Sequence, residues 1–134
     1  MAGPHELNDA LLRSLPDSGP VVMVNLVRLR EQVAEGWGSG WDAYLAYSRE
    51  AMRLIKARGG TVLWAGKPEA VAFGVADAHR WDYIVLVQYP SRAAFLDMMD
   101  SAEYKAANAQ REAGVEQHVI IAATETFSRA NPRH

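Results

Sequence analysis

The sequence predicts an α+β domain whose strands and helices follow one another in the order β-α-β-β-α-β. Residues 81–89, which read WDYIVLVQY, show the strongest strand pattern in the chain, with β-branched and aromatic side chains throughout. Residues 41–55 instead place apolar side chains at helical steps of three and four. Glycine and proline separate these segments into short elements. The length of 134 residues suits one domain with its own core.

The chain begins with a short helix and a buried strand. Leucines recur at helical spacing over residues 6–15, and Pro16 ends this helix. Residues 21–27 read VVMVNLV, a run of β-branched and apolar side chains that is typical of a strand buried on both faces.

A longer helix follows a glycine-rich loop. Ser39 is expected to cap its start near Trp41, and the pair Gly59-Gly60 is expected to end it. Along this helix we expect only one of Tyr44 and Tyr47 to face the sheet, the other offering its hydroxyl to a pocket, with packing as the alternative.

The second half of the chain repeats the alternation of strands and helices. Pro90 ends the strong strand, Ser91 caps the next helix, and Gly114 ends the last helical stretch. The elements expected here are a strand at 61–66 with a continuation at 70–74, the strand at 81–89, a helix after Ser91, a helical stretch at 101–112, and a strand at 116–127.

This order is the split β-α-β pattern of the ferredoxin-like fold, a four-stranded antiparallel sheet with helices on one face. We therefore expect three segments. They are an N-terminal helical extension at 1–19, the ferredoxin-like domain at 20–127 and a flexible tail at 128–134.

The strands carry apolar side chains on both faces, which predicts that the sheet is covered twice. In the strand 81–89, Ile84 and Leu86 point to one side while Val85 and Val87 point to the other. The helices can cover only one face. A second copy of the chain is the economical cover for the other, because most soluble oligomers are symmetric homo-oligomers. We therefore expect a homodimer in which two sheets close an α+β barrel.

Composition excludes several classes of function. The net charge is −2 and the arginines are interspersed with acids, so no nucleic-acid surface is expected. The chain has no cysteine, hence no disulfide and no thiolate metal site, which fits a cytoplasmic location. No signal peptide or membrane span is visible, and no membrane partner is expected. The four histidines show no metal-binding spacing, so neither metal, haem nor another cofactor is expected.

Several stretches of the sequence resemble a known bacterial family. Its most specific features are Tyr89-Pro90-Ser91 before a helix, then Glu103-Tyr104 and Arg111. The similar stretches are VVMVNLVRLRE (21–31), YLAYSREAMRLIKARGGTVLWAG (44–66), WDYIVLVQYPSRAAFLDMM (81–99) and SAEYKAANAQR (101–111).

The chain thus resembles the family called domain of unknown function thirteen-thirty, within the dimeric α+β barrel superfamily. The resemblance covers roughly residues 20 to 125. It implies a dimer with a cavity between sheet and helices or between subunits. It carries no catalytic residues with it. Other members of the superfamily include cofactor-independent monooxygenases, lactone isomerases, haem enzymes and stress-response proteins, so the fold does not decide the function.

Candidate site residues are the polar side chains that interrupt apolar elements and the large aromatics on strands. Asn25 lies within an apolar strand, where an amide is costly unless it is hydrogen-bonded, so it is either a polar anchor in a pocket or a structural side chain. His118 is a candidate general base and Arg111 a candidate holder of a carboxylate or enolate. The aromatic residues that are candidate ligand contacts, with core or interface packing as the alternative, are Tyr44, Trp64, Trp81, Tyr83 and Tyr89.

The sequence contains no established catalytic motif, so whether the protein is an enzyme stays open. The leading hypothesis is a homodimeric barrel that binds a small organic metabolite, with a cofactor-independent isomerisation or oxygenation as its chemistry. The alternatives are a non-enzymatic binding or stress-response protein and a structural dimer that has no pocket.

Overall fold

The structure is a computed structural model that describes residues 6–17 and 19–129. Part of the expected extension, residues 1–5 and 18, and part of the expected tail, residues 130–134, lie outside the described residues. The elements are α1 (Asp9–Ser14), β1 (Val21–Leu29), α2 (Gly40–Ala57), β2 (Thr61–Gly66), β3 (Tyr83–Tyr89), α3 (Arg92–Asp100), α4 (Ala102–Gly114) and β4 (Val115–Ala123).

The four strands form one antiparallel sheet in the order β2-β3-β1-β4. The first and third strands are central, and helices α2, α3 and α4 cover one face. This is the ferredoxin-like arrangement, so the predicted fold class is confirmed. None of the described helices is long and apolar enough to cross a membrane.

The strand register assigns each side chain to a face. Asn25 in β1 lies opposite Val85 in β3 and Ile120 in β4, and side chains of opposed residues project from the same face. Met23 and Val27 share this face and are almost fully buried under the helices. The other face, here called the open face, carries Val22, Val24, Leu26, Trp64, Ile84, Leu86, Val119 and Ile121.

Helix α2 begins and ends where the sequence predicts. The Ser39 hydroxyl accepts a hydrogen bond from the Asp42 backbone N–H at 3.1 Å, and the Asp42 carboxylate accepts one from the Ser39 N–H at 2.9 Å. This reciprocal capping box satisfies two donors at the helix start. Gly59 follows the helix with a φ of 76°, a left-handed conformation that glycine adopts without steric cost.

The expectation that only one of Tyr44 and Tyr47 faces the sheet was wrong. Both side chains are buried, 5% and 7% exposed, because residues three apart lie on the same face of a helix. Leu45, which lies between them in the sequence, is 36% exposed.

The strand expected to continue at residues 70–74 does not form. β2 ends at Gly66, and residues 67–82 form a long loop in which Phe73 is fully exposed. Gly74 has a φ of 133°, which is outside the extended conformation of a strand. Pro68, near the start of the loop, has no backbone N–H to give to a ladder.

Two strand ends also differ from the expected ones. β3 begins at Tyr83 rather than Trp81, because the Asp82 carboxylate accepts from the Leu29 N–H at 2.8 Å in place of a regular ladder bond. β4 ends at Ala123 rather than at residue 127, opposite Val22 near the start of its partner strand.

Helices α2 and α4 approach each other closely at two glycines, Gly40 and Gly114. A Cβ atom at Gly114 would lie 2.8 Å from the Cβ of Ala43 and 3.1 Å from the backbone nitrogen of Tyr44. The Gly114 carbonyl accepts a hydrogen bond from the Arg30 N–H at 2.9 Å. This close approach fixes the junction of α4 and β4, and therefore the positions of Arg111 and His118 on either side of it.

Candidate ligand-binding site

Three polar side chains from three elements form a hydrogen-bonded row beneath the helices. His118 on β4 places its Nε2 2.9 Å from the Asn25 Oδ1 on β1. The Nδ1 of the same ring lies 3.3 Å from a terminal guanidinium nitrogen of Arg111 on α4. His118 and Arg111 are only 5% and 8% exposed. The antiparallel pairing of β1 with β4 brings Asn25 and His118 together, because residue 118 is two positions from the register partner of residue 25 and therefore projects from the same face.

The donors and acceptors of this row assign the histidine tautomer. A guanidinium only donates, so the Nδ1 of His118 accepts from Arg111. The ring proton is then on Nε2, which donates to the Asn25 carbonyl oxygen. The Asn25 amide nitrogen in turn donates to the backbone carbonyls of Met23 at 3.1 Å and Val85 at 3.3 Å. The amide that looked costly in the sequence is therefore hydrogen-bonded on both its oxygen and its nitrogen.

The Arg111 side chain is held in place by its own helix. Its Nε donates to the Asn108 Oδ1 at 2.7 Å, and a terminal nitrogen donates to the Glu112 carboxylate at 3.3 Å. A guanidinium has five N–H groups, and the contacts to Asn108, Glu112 and His118 use three of them. A buried, oriented guanidinium of this kind suits the planar, bidentate recognition of a carboxylate.

A pocket of about 630 Å³, here called the outer pocket, opens between α1, α3, α4 and β4. This volume lies within the ordinary range for small-molecule sites. One end is polar, with Lys105, Asn108, Arg111 and His118. The remaining walls are largely apolar. Leu7, Leu11, Leu12 and Leu15 come from residues 7–17, here called the α1 segment, and Met23, Phe95, Met99, Ile120 and Ile121 come from the sheet and α3.

A second space of about 250 Å³, here called the inner cavity, lies between the sheet and helices α2 and α3. Its lining includes Asn25, Tyr44, Tyr47, Ala51, Tyr83, Val85, Val87, Tyr89 and Met98. Four residues line both spaces, namely Met23, Phe95, Met99 and Ile120. The two spaces are therefore neighbours.

The buried tyrosines of this region stay protonated at neutral pH. Burial holds the pKa of Tyr47 well above its ordinary value of 10.0, and burial likewise raises the pKa of Tyr44 and Tyr89. The hydroxyls of Tyr47 and Tyr104 lie 2.9 Å apart and hydrogen-bond each other, and the Tyr89 hydroxyl donates to the Met98 sulfur at 3.8 Å.

The α1 segment forms one wall of the outer pocket and is attached by polar contacts. The Asp17 carboxylate accepts hydrogen bonds from the backbone N–H groups of Arg92 at 2.9 Å and Ala93 at 3.0 Å, at the start of α3. These hydrogen bonds lower the pKa of the Asp17 carboxyl, and the bond from the Arg92 N–H has the largest effect. Arg13 forms an ion pair with Asp100 at 2.9 Å. No residue of α1 itself is buried, so its apolar contact with the rest of the protein is modest. The polar contacts of Asp17 and Arg13 add to that contact in holding α1 against α3.

The structure divides the candidate residues into three groups. Asn25, His118 and Arg111 come together in one hydrogen-bonded row. Tyr44, Tyr83 and Tyr89 line the inner cavity. Trp64 and Trp81 line neither space. Trp64 is 54% exposed on the open face, and the Trp81 ring lies under the Arg28 guanidinium at 5.2 Å from the ring centroid.

The sequence reasoning missed several residues of the outer pocket. Asn108 precedes Arg111 by one helical turn, and this i,i+3 spacing is a signal that could have paired them. The leucines of α1 were recognised as helical, yet nothing in their spacing indicates that they face β4 and α4.

Fold and site together define an α+β protein of ferredoxin-like topology with a pocket that is polar at one end. The profile of the family described as domain of unknown function DUF1330 matches residues 39–124. The chain belongs to this family, as the resemblance predicted. No curated protein matches the chain.

Several solved structures are similar to this chain, and some of them are described as proteins of unknown function. The RPA0582 protein of unknown function from Rhodopseudomonas palustris is 32% identical, with a TM-score of 0.83 over 96% of this chain and 100% of that one. A dimeric ferredoxin-like protein of unknown function from Bacteroides fragilis is 11% identical, with a TM-score of 0.55 over 79% and 96%. SnoaB, a cofactor-independent oxygenase from Streptomyces nogalater, is 12% identical, with a TM-score of 0.52 over 84% and 100%. The last two likenesses concern the fold alone.

Proposed function

We propose that the protein is a homodimer that binds a small amphipathic organic acid in the outer pocket of each chain. The observation that carries this proposal is the burial of the Arg111 guanidinium at the polar end of a pocket whose other walls are mainly apolar. A carboxylate or enolate oxygen would take the N–H groups of Arg111 that His118, Asn108 and Glu112 do not use.

The charge of the polar end supports an anionic group. Lys105 adds a second cation to the lining that contains Arg111, and Glu6 is the acidic side chain of that lining. Because the site is partly shielded from water, the attraction between a guanidinium and a carboxylate is less screened than at the surface. The leucines of α1 would cover the apolar part of the same ligand.

The open face supports the homodimer. Val24, Leu26, Ile84 and Leu86 form a continuous apolar patch at its centre, and Ile121 is 50% exposed beside them. Such a patch is typical of an interface. The ferredoxin-like structure from Bacteroides fragilis is described as dimeric, which supports pairing of this kind. Two sheets packed through these faces would close the expected barrel.

A second candidate function is cofactor-independent isomerisation, and the observation that favours it is the His118 tautomer. The Nδ1 lone pair is held by Arg111. A carbonyl substrate that draws Arg111 onto its oxygen would release Nδ1 to accept a proton from the adjacent carbon. The enolate that forms would be stabilised by the guanidinium, and return of the proton to a different carbon would complete an isomerisation.

Binding of an acid is tested by calorimetric titration with 4-phenylbutyrate and with its uncharged primary amide. We expect the carboxylate to bind at least about tenfold more tightly than the amide, a preference that R111Q abolishes. R49Q, which removes an exposed arginine of α2 outside both spaces, is the matched control and should retain it. Equal affinity for acid and amide, or no binding of either, would refute the proposal.

The dimer is tested by native mass spectrometry of the intact chain. We expect a species of twice 14.8 kDa, and we expect V24D on the open face to give monomers. L45D, on the exposed side of α2, is the control that should stay dimeric. A monomeric wild-type protein would overturn this part of the proposal.

The two candidate functions differ in whether the protein removes a carbon-bound proton from its ligand. Nuclear magnetic resonance of a bound β-keto acid in heavy water would follow exchange of its acidic carbon-bound hydrogens. Exchange that the protein accelerates and that H118N abolishes, with binding retained, would favour the isomerase. Binding without accelerated exchange would favour the non-enzymatic alternative, a binding or stress-response protein.

A further inference from the structure

The inner cavity and the outer pocket meet at four shared side chains, and two of these are methionines, Met23 and Met99. Met23 is only 2% exposed and is fixed within the core, whereas Met99 lies at the margin of the core and is partly buried. Methionine is unbranched and changes rotamer at low cost. A rotation of Met99 is therefore the least costly way to join the two spaces.

The inner cavity has the character of an apolar guest site. It is lined by valines, methionines and aromatic rings, and three of its polar side chains already have hydrogen-bond partners. Asn25 bonds to His118, Tyr47 to Tyr104, and Tyr89 to Met98. A water molecule needs two to four polar partners, and apolar cavities as small as about 150 Å³ can hold benzene. A space of about 250 Å³ is large enough for a six-membered ring.

We infer that the inner cavity is a second compartment of the ligand site, which receives the cyclic or branched apolar end of the acid held at Arg111. This inference rests on the proposed function and specifies its ligand class. The ligand would be a monocarboxylate whose acidic group lies in the outer pocket. A short chain would pass Met99, and an apolar ring would fill the space between the tyrosines of α2 and the sheet.

The geometry of the shared wall also makes the two compartments separately testable. Ala51 on α2 lines the inner cavity but not the outer pocket, and its side chain is 6% exposed. A larger side chain at this position would occupy the inner cavity and leave the row of Arg111, His118 and Asn25 in place. Ala57, exposed on the same helix, provides a matched substitution that enters neither space.

The experiment compares the affinity of butyrate with that of 4-phenylbutyrate for the wild-type protein, A51M and A57M. In the wild type and in A57M the phenyl group should strengthen binding at least about tenfold, because it is removed from water. In A51M this gain should disappear while the affinity for butyrate is unchanged. Equal affinities for the two acids in the wild type would overturn the inference, and so would an undiminished gain in A51M.

Xenon binding to the wild-type protein gives a second measurement, which needs no variant and therefore does not depend on whether A51M folds. We expect xenon, followed by the chemical shifts of the Met98 and Met99 methyl groups, to enter the inner cavity. The absence of any shift would overturn the inference. If neither acid binds at all, the proposed function itself fails, whereas binding of both acids with equal affinity leaves that function standing and refutes only the inner compartment.

Discussion

The Nε2 of His118 lies 2.9 Å from the Oδ1 of Asn25, across a separation of 93 residues in the chain. This hydrogen bond links a side chain of β1 to a side chain of β4. Arg111 approaches the other nitrogen of the same ring. Each of the three side chains has the complementary donor or acceptor, so the row fixes its own protonation. Its position between the outer pocket and the inner cavity makes it the centre of the candidate site.

The first prediction concerns the proton of His118. Because Arg111 can only donate, we expect the neutral ring to carry its proton on Nε2. Long-range ¹H–¹⁵N correlation spectra of the histidine side chains should show a pyrrole-type Nε2 and a pyridine-type Nδ1, with H118N used to assign the signals. A proton found on Nδ1 would contradict the arrangement.

Two isosteric substitutions, N25D and N108D, distinguish the roles of the side-chain amides of Asn25 and Asn108. In N25D the amide donors to the Met23 and Val85 carbonyls are lost and a carboxylate oxygen faces them instead. We expect the free energy of unfolding to fall by about 2 kcal/mol or more. In N108D the acceptor for the Arg111 Nε is retained and becomes charged, so stability should be unchanged or higher. Urea denaturation of both variants measures the difference, and equal losses would contradict the assigned roles.

The two buried tyrosines of α2 should respond differently to loss of their hydroxyls. Y47F removes the 2.9 Å hydrogen bond to Tyr104 and leaves that hydroxyl without its partner, so we expect a loss of about 1–2 kcal/mol. Y44F is the control, since within the described part of the chain the Tyr44 hydroxyl makes no hydrogen bond, and its loss should be smaller. Thermal unfolding of the two variants provides the test, and a larger effect of Y44F would contradict it.

The attachment of α1 through Asp17 should depend on pH. The pKa of Asp17 is lowered in the folded protein by the N–H groups of Arg92 and Ala93, relative to an ordinary value of 3.8. The stabilisation is therefore fully present above pH 3.8 and is lost as the pH falls through the lower folded pKa. A carbon-detected titration of the Asp17 carboxyl should give a midpoint below 3.8.

The D17N variant provides the control for this attachment. It should retain one weaker acceptor at the start of α3 and should no longer contribute a pH-dependent term to stability. A midpoint for Asp17 at or above 3.8 in the wild type would show that the bonds to α3 do not form in solution.

Local patterns in the sequence predicted most of the fold. The helical period after Trp41, the serine caps and the strand 81–89 each depend on neighbours within a few residues, and all were confirmed within a residue or two. The apolar character of both strand faces likewise follows from composition along single strands. The error at residues 70–74 arose because the loop conformation is not specified by the apolar pattern. The error at Tyr47 was of another kind, because the spacing of three residues already places Tyr44 and Tyr47 on one helix face.

The chain by itself therefore determined the order of elements, the helix caps and the identity of the polar residues that interrupt apolar segments. Only the tertiary structure decided that Asn25, His118 and Arg111 belong together, because strand pairing between β1 and β4 is a long-range contact whose register no local pattern specifies. The same holds for the α1 leucines, which become a pocket wall only when Asp17 and Arg13 attach the segment to α3. The site is a product of register and docking, whereas the fold class is already specified by periodicity.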